Sequence, residues 1–146
     1  MLKPFLFVSA LILSGLTASF QQTAPAPPAP ATAPAAAEAP MPAEAANLTN
    51  PVKPTSESQA KAKKIYGYDC AMCHGANGDG KGDIADGLKT KMNDLTSPAT
   101  LKDKKDGEIF YLIKNGKGEM PAEGDRVKAD DVWNLVIYCR SLSKGA

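Results

Sequence analysis

Five consecutive residues constrain this chain more than any other feature: Cys70-Ala71-Met72-Cys73-His74. Two thiols three positions apart, followed at once by an imidazole, form the pattern by which a haem is attached covalently. Each thiol can add to one vinyl group, and the adjoining imidazole is held where it reaches the iron. The other chemistries of cysteine pairs fit less well. A dithiol redox centre places its C-x-x-C near a βαβ pattern, whereas the residues before Cys70 have helical periodicity. A structural zinc site takes four Cys or His ligands. Beyond the motif the chain offers only Cys139, because His74 is its sole histidine. Three cysteines are also too few for a disulfide-built mini-domain.

The same count limits the other side of the iron. One histidine excludes bis-histidine ligation, and five methionines remain. Met1 and Met41 lie outside the expected domain, and Met72 between the two cysteines has no room to turn back. Met120 lies in Asn115-Gly-Lys-Gly-Glu-Met-Pro121, 46 residues beyond His74. Pro121 locks φ there, and the preceding glycines allow the backbone to approach a flat ring. Met92 lacks that setting and reads as a gap-filler against the core. Met120 is therefore the expected second axial ligand, the alternatives being a five-coordinate or lysine-ligated iron. Met/His ligation raises the reduction potential and favours passing electrons over binding oxygen.

Charge and proline distribution set the organisation. With 17 Lys and Arg against 16 Asp and Glu, the chain lacks the basic excess of a nucleic-acid binder. Lys3, the apolar run from Phe5 to Leu16 and the small residues Thr17-Ala18-Ser19 make residues 1–19 a signal peptide or a retained N-terminal anchor. Phe5–Phe20 is 16 residues, a little under the ~17–25 that span hydrocarbon. No cysteine follows the run, which excludes lipid attachment there. Either way the remainder is expected outside the cytoplasm, in the periplasm, free or held at the membrane. Residues 20–55 read as a disordered Ala/Pro linker, since nineteen of the 23 residues from Ala24 to Ala46 are Ala or Pro. Such a segment behaves as a semi-rigid spacer reaching on the order of 100 Å, a tether or a passive tail.

The folded domain is read as residues 56–146. Ser56 and Gln59 match a capping box, opening a helix over Ala60–Asp69 with Ala62, Ile65, Tyr66 and Asp69 on one side. A glycine-rich loop, Gly75–Gly82, a weaker helical patch at Ile84–Lys91 and a turn around Ser97-Pro98 follow. Asp106-Gly107 opens a helix that buries Ile109, Phe110, Leu112 and Ile113 and stops at Asn115-Gly116. The last helix, Ala129–Ser143, carries Val132, Leu135, Val136, Cys139 and Leu142 at 3–4 spacing. No strand-like alternation of useful length appears, so the class is all-α, three to four short helices. So small a core commonly needs extra support, which one central cofactor would supply.

Together, Tyr66-x-x-x-Cys70-x-x-Cys73-His74-Gly75, Asp94-Leu95-Thr96, Gly107-Glu108-Ile109-Phe110, Asn115-Gly116, Met120-Pro121 and Val132-Trp133 through Leu142 give residues 57–146 a family resemblance. They resemble class I mono-haem cytochromes c of the short bacterial type, found free or as haem domains of oxidase complexes. The resemblance implies the cytochrome c fold around one covalently bound haem c, with Cys70 and Cys73 as attachment points and His74 and Met120 as proximal and distal ligands. It also implies that the first and last helices cross near the haem edge, with Tyr66 against Leu135 and Tyr138. Two departures stand out: Ala62 replaces the usual glycine at that crossing, and no proline follows the motif to supply a carbonyl to His74. Cys139 is expected as a small core residue near the haem, with dimerisation or redox sensing as alternatives. Trp133 is expected as partly buried packing that donates to a haem propionate, and the Lys102, Lys104, Lys105 run as a solvated loop. The function implied is one-electron transfer by a monomer between redox proteins that dock at the haem edge, rather than catalysis. The alternatives are a membrane-tethered haem subunit of a larger oxidoreductase, or a haem enzyme or gas sensor with an open distal position.

Overall fold

The computed structural model describes residues 41–143. The segment 1–19 and the linker up to residue 40 lie outside the described residues. Among the described residues, five α-helices joined by shorter turns make up the domain. α1 spans Ser56–Ile65 and runs through a single wide π turn, Tyr66–Cys70, straight into α2, Ala71–His74. α3 is the short Pro98–Leu101, α4 spans Asp106–Asn115 and α5 spans Ala129–Leu142. Among the described residues there is no strand, only an isolated antiparallel bridge between Lys117 and Met120.

The helix boundaries follow local chemistry. The N-cap of α1 is Thr55, one residue before the expected Ser56. Thr55 is extended, and its hydroxyl accepts the Ser58 N–H at 3.1 Å while the Ser58 hydroxyl accepts the Thr55 N–H at 3.0 Å. Gln59 is thereby released from capping, and its amide donates across to Asn134 at 3.0 Å on α5. The Ile84–Lys91 patch forms only a 3₁₀ turn, Ala85–Gly87, because its backbone amides are drawn into the neighbouring loops. α3 begins with Pro98 at its first turn, where a missing N–H costs nothing. At the head of α4 the Glu108 carboxylate accepts the Lys105 N–H at 2.6 Å, and Gly116 at φ 72° ends it.

α5 is the spine. It packs against α1 and α4, and the pair α1–α5 forms the most extensive contact. Tyr66, Val132, Leu135 and Val136 are the largest fully buried side chains. The Tyr66 and Tyr138 rings lie 5.2 Å apart, as the crossing expected of these helices requires, and Ala62 is buried within it. Trp133 departs from expectation. It is buried, and it stacks on Phe110 at 4.0 Å with 17° between planes, filling the α4–α5 interface.

Packing also begins earlier than residue 56. A 3₁₀ turn, Ala43–Asn47, rests on α4 with Ala45 buried, and the Asn50 amide donates to the Trp133 carbonyl at 3.3 Å. This stretch, read from its composition as spacer, is folded onto the domain because Gly107 leaves room for it: a Cβ there would strike the Ala45 carbonyl.

Candidate functional site

The π turn and α2 carry Cys70, Cys73 and His74 to one wall of a cavity of about 360 Å³. That volume lies within the range of small-molecule and cofactor sites. The α2 carbonyls that face the helix end are satisfied by the glycine-rich loop, which folds back over them. Gly80 donates to His74 at 2.8 Å, Gly82 to Cys73 at 3.3 Å and Ile84 to Met72 at 3.2 Å. A Cβ at Gly82 would collide with the Met72 carbonyl, so the loop can close this tightly only with glycine there. The buried Tyr66 hydroxyl completes the clamp by donating to the Gly75 carbonyl at 3.0 Å. Met72 itself points outward and is exposed.

The opposite wall is the loop after α4. Lys117 and Met120 exchange two backbone hydrogen bonds of 3.0 Å each, and Glu123 and Gly124 donate back to Ile113 and Lys114 at 3.0 and 2.9 Å. Met120 lines the cavity, half-buried against the core. The Glu119 carboxylate accepts the N–H groups of Lys89 and Thr90 at 2.9 and 3.1 Å, tying the 88–90 segment to the Met120 loop along the rim. Between the walls lie Leu88, Leu95, Leu101, Ile109, Ile113 and Leu135. The structure thus brings Cys70, Cys73, His74 and Met120 to one apolar cavity. Met92 lines it as well, but from a segment without the hydrogen-bonded frame that holds Met120. Trp133 is not among the residues that line the cavity.

The electrostatics suit a bound metal cofactor. His74 Nδ1 is buried with no hydrogen-bond partner, and burial holds the imidazole below its usual pKa. It is therefore kept in the neutral form that ligates metals. Burial, followed by the charges of Cys139, Glu123 and Asp69, pushes the Cys70 thiol up to about 12, with Arg126 opposing. Cys139 lines the same cavity and is pushed up to about 12 by burial. A neutral imidazole, a thioether and the two motif thiols around an apolar space are the donor set that a covalently held haem needs, and the residues fit that group.

Sequence reasoning missed two features of the site. Glu119 reaches back thirty residues to bind backbone amides, a contact with no local signature. Glu123 is a buried carboxylate on the cavity wall; its burial was concealed by its position in a polar loop, although an acidic residue three before Arg126 was a visible pairing signal.

Known proteins resemble the chain in the same region. The family model described as cytochrome c oxidase, cbb3-type, subunit III matches residues 57–138. The cbb3-type cytochrome c oxidase subunit FixP of Azorhizobium caulinodans is 31% identical over 100 residues, covering 68% of this chain and 32% of that protein. The chain thus spans about a third of that relative. Cytochrome c6 of Leptolyngbya boryana is 34% identical over 79 residues, covering 54% of this chain and 86% of its own length. A chain of a Kuenenia stuttgartiensis reducing HAO-like protein complex superposes with a TM-score of 0.56 and 26% identity, over 65% of this chain and 49% of that one. The chain is therefore a c-type cytochrome with covalently bound haem c, and it belongs to the family described as cytochrome c oxidase, cbb3-type, subunit III.

Proposed function

We propose that this chain carries single electrons between extracytoplasmic redox partners, with Cys70 and Cys73 as the thioether attachment points of one haem c and His74 and Met120 as its axial ligands. The bound haem supplies reversible Fe(II)/Fe(III) cycling; every other requirement falls on the protein. Cys70 and Cys73 hold the cofactor's edge, and the neutral His74 imidazole is steadied by the amide clamp on the α2 carbonyls. Met120 is presented by a loop with little freedom to withdraw. The surrounding leucines and isoleucines exclude water, which keeps reorganisation on electron transfer small. One observation carries the reading: all four residues line a single apolar cavity, although 46 residues separate the two axial ligands.

The optical spectrum of the purified holoprotein tests it. Methionine ligation gives ferric haem a weak long-wavelength sulfur-to-iron band, and the ferrous protein should bind carbon monoxide slowly. Absence of the band with rapid carbon monoxide binding would favour an open distal position and a haem enzyme or gas sensor. Haem that leaves the protein in acidified organic solvent would contradict attachment through Cys70 and Cys73.

A second reading, a haem-bearing subunit fixed within a membrane oxidoreductase, draws support from the similarity to the FixP oxidase subunit and from the Ala/Pro-rich segment. Among the described residues no helix is long and apolar enough to cross a membrane, and this reading assigns the anchoring to the N-terminal apolar run. Fractionation of the native host decides between the two: recovery in the soluble periplasm supports the free carrier, and recovery with membranes supports the tethered subunit.

A further inference from the structure

The cavity wall holds one charged group that neither attachment nor axial ligation uses. Glu123 is 3% exposed and lines the cavity together with Asp69 and Cys70. Both of its carboxylate oxygens lie 2.6 Å from Arg126 Nη2, and Arg126 Nη1 lies 3.5 Å from Asp69 Oδ1. The backbone locks the residue in place. Its N–H donates to Ile113 at 3.0 Å, and its carbonyl accepts from Arg126 and Val127 at 3.0 and 2.8 Å. Arg126 reaches solvent while Glu123 does not, so the guanidinium meets the carboxylate from the solvent side while the carboxylate itself stays buried on the cavity wall.

Stability does not account for this arrangement. Burying an ion pair costs desolvation that an apolar side chain of similar volume avoids, and such replacements are often neutral or stabilising. The charges do act on the site: Glu123 and Asp69 both raise the Cys70 thiol, after burial and Cys139, and Arg126 lowers it. Two carboxylates against one guanidinium leave an excess of negative charge beside the attachment cysteine, where low dielectric preserves its reach.

We propose that Glu123, held by Arg126 and backed by Asp69, is a tuning residue that sets the reduction potential of the haem by stabilising its ferric form. The inference rests on the haem reading of the cavity. The sign follows from charge: the ferric centre carries one more positive charge than the ferrous one, so a buried carboxylate favours oxidation.

Equilibrium redox titration of the holoprotein, followed by absorption, tests this. Glu123→Gln should favour the ferrous form about tenfold at a given solution potential, raising the potential by ~59 mV for one electron. Asp69→Asn should shift it in the same direction by a smaller factor, and added salt should reduce that smaller shift because Asp69 is partly exposed. Glu57→Gln, at the exposed start of α1, should leave the equilibrium unchanged. An E123Q holoprotein that retains methionine ligation and titrates with the parent, or at lower potential, overturns the proposal. An equal response to E57Q also overturns it, because the effect would then be one of net charge alone. If E123Q yields no holoprotein, Asp69→Asn decides: a raised potential supports the proposal and an unchanged one refutes it. A parent chain that matures without colour refutes the haem reading as well, whereas a coloured parent with unresponsive variants refutes only the tuning role.

Discussion

Lys117 and Met120 bind each other through two backbone hydrogen bonds of 3.0 Å, which close the four-residue turn that offers the methionine to the cavity. The turn depends on Gly116 at φ 72°, where a Cβ would strike the Met120 carbonyl. Ligand supply and ligand placement can therefore be separated by mutation. Met120→Ala should remove the thioether while leaving the turn intact: the long-wavelength band disappears, the potential falls, and carbon monoxide binds rapidly. Gly116→Ala keeps the thioether but strains the turn by about 1–3 kcal/mol. Its band should weaken in parallel with a lowered thermal midpoint, whereas an unaltered spectrum in G116A would show that the turn does not position Met120.

Cys139 is the thiol left over once Cys70 and Cys73 are bonded to haem. Burial on the inner face of α5 pushes it up to about 12 from an ordinary 9.0. At pH 8 it is then about a thousandfold less ionised than an unhindered thiol, and the thiolate is the reactive form. The native holoprotein should resist iodoacetamide at pH 8, and the denatured protein should take up one equivalent per chain, read by intact mass. The sign of the stability effect follows from the raised value. The folded state holds its proton to higher pH than the unfolded state, so this contribution is intact below pH ~9 and declines as pH rises toward 12. Rapid native alkylation or a disulfide-linked dimer would contradict the buried placement.

The α1 cap distinguishes two readings of one sequence. Ser56 and Gln59 satisfy the capping pattern on paper, but Thr55 and Ser58 make the reciprocal bonds. Thr55→Ala should cost about 1 kcal/mol, lowering the melting temperature by roughly 4–8 °C for a domain of this size. Ser56→Ala, inside the first turn, should change little. Calorimetry on the two variants tests the assignment, and equal losses would place the cap at neither residue alone.

What the sequence revealed and what it hid divide along physical lines. α4 and α5 were legible because their apolar residues recur at helical spacing and a glycine ends α4. The motif and the Met120 loop were legible because each is a short local string whose chemistry needs no partner. The Ile84–Lys91 patch misled because its periodicity was too weak to compete with loop hydrogen bonds such as those from Lys89 and Thr90 to Glu119. Trp133 misled because an edge position on a helical wheel says nothing of the Phe110 ring that a second helix brings against it. Glu123 and the Ala43–Asn47 turn were hidden because each owes its burial to a contact far away in sequence.

The turn at Ala43–Asn47 gives a final prediction, since composition alone marks it as spacer. Its seat on α4 is Gly107, where any Cβ would meet the carbonyls of Ala45 and Leu48. In the first turn of an α-helix, alanine is intrinsically better than glycine by about 1 kcal/mol, so propensity alone predicts that Gly107→Ala stabilises the domain. The packing predicts the reverse. The 3₁₀ turn must lift off, exposing Ala45 and loosening the Asn50 bond to the Trp133 carbonyl, so G107A should lower the thermal midpoint. Amide exchange should become faster at Ala45 and Leu48, whose N–H groups are bonded within this turn. Deleting residues 20–47, which keeps the export segment, tests the same contact from the other side. In that truncated chain the nearest clash, with the Ala45 carbonyl, is gone, and the penalty of G107A should shrink or change sign. A penalty of equal size with and without the turn would show that Gly107 serves α4 alone.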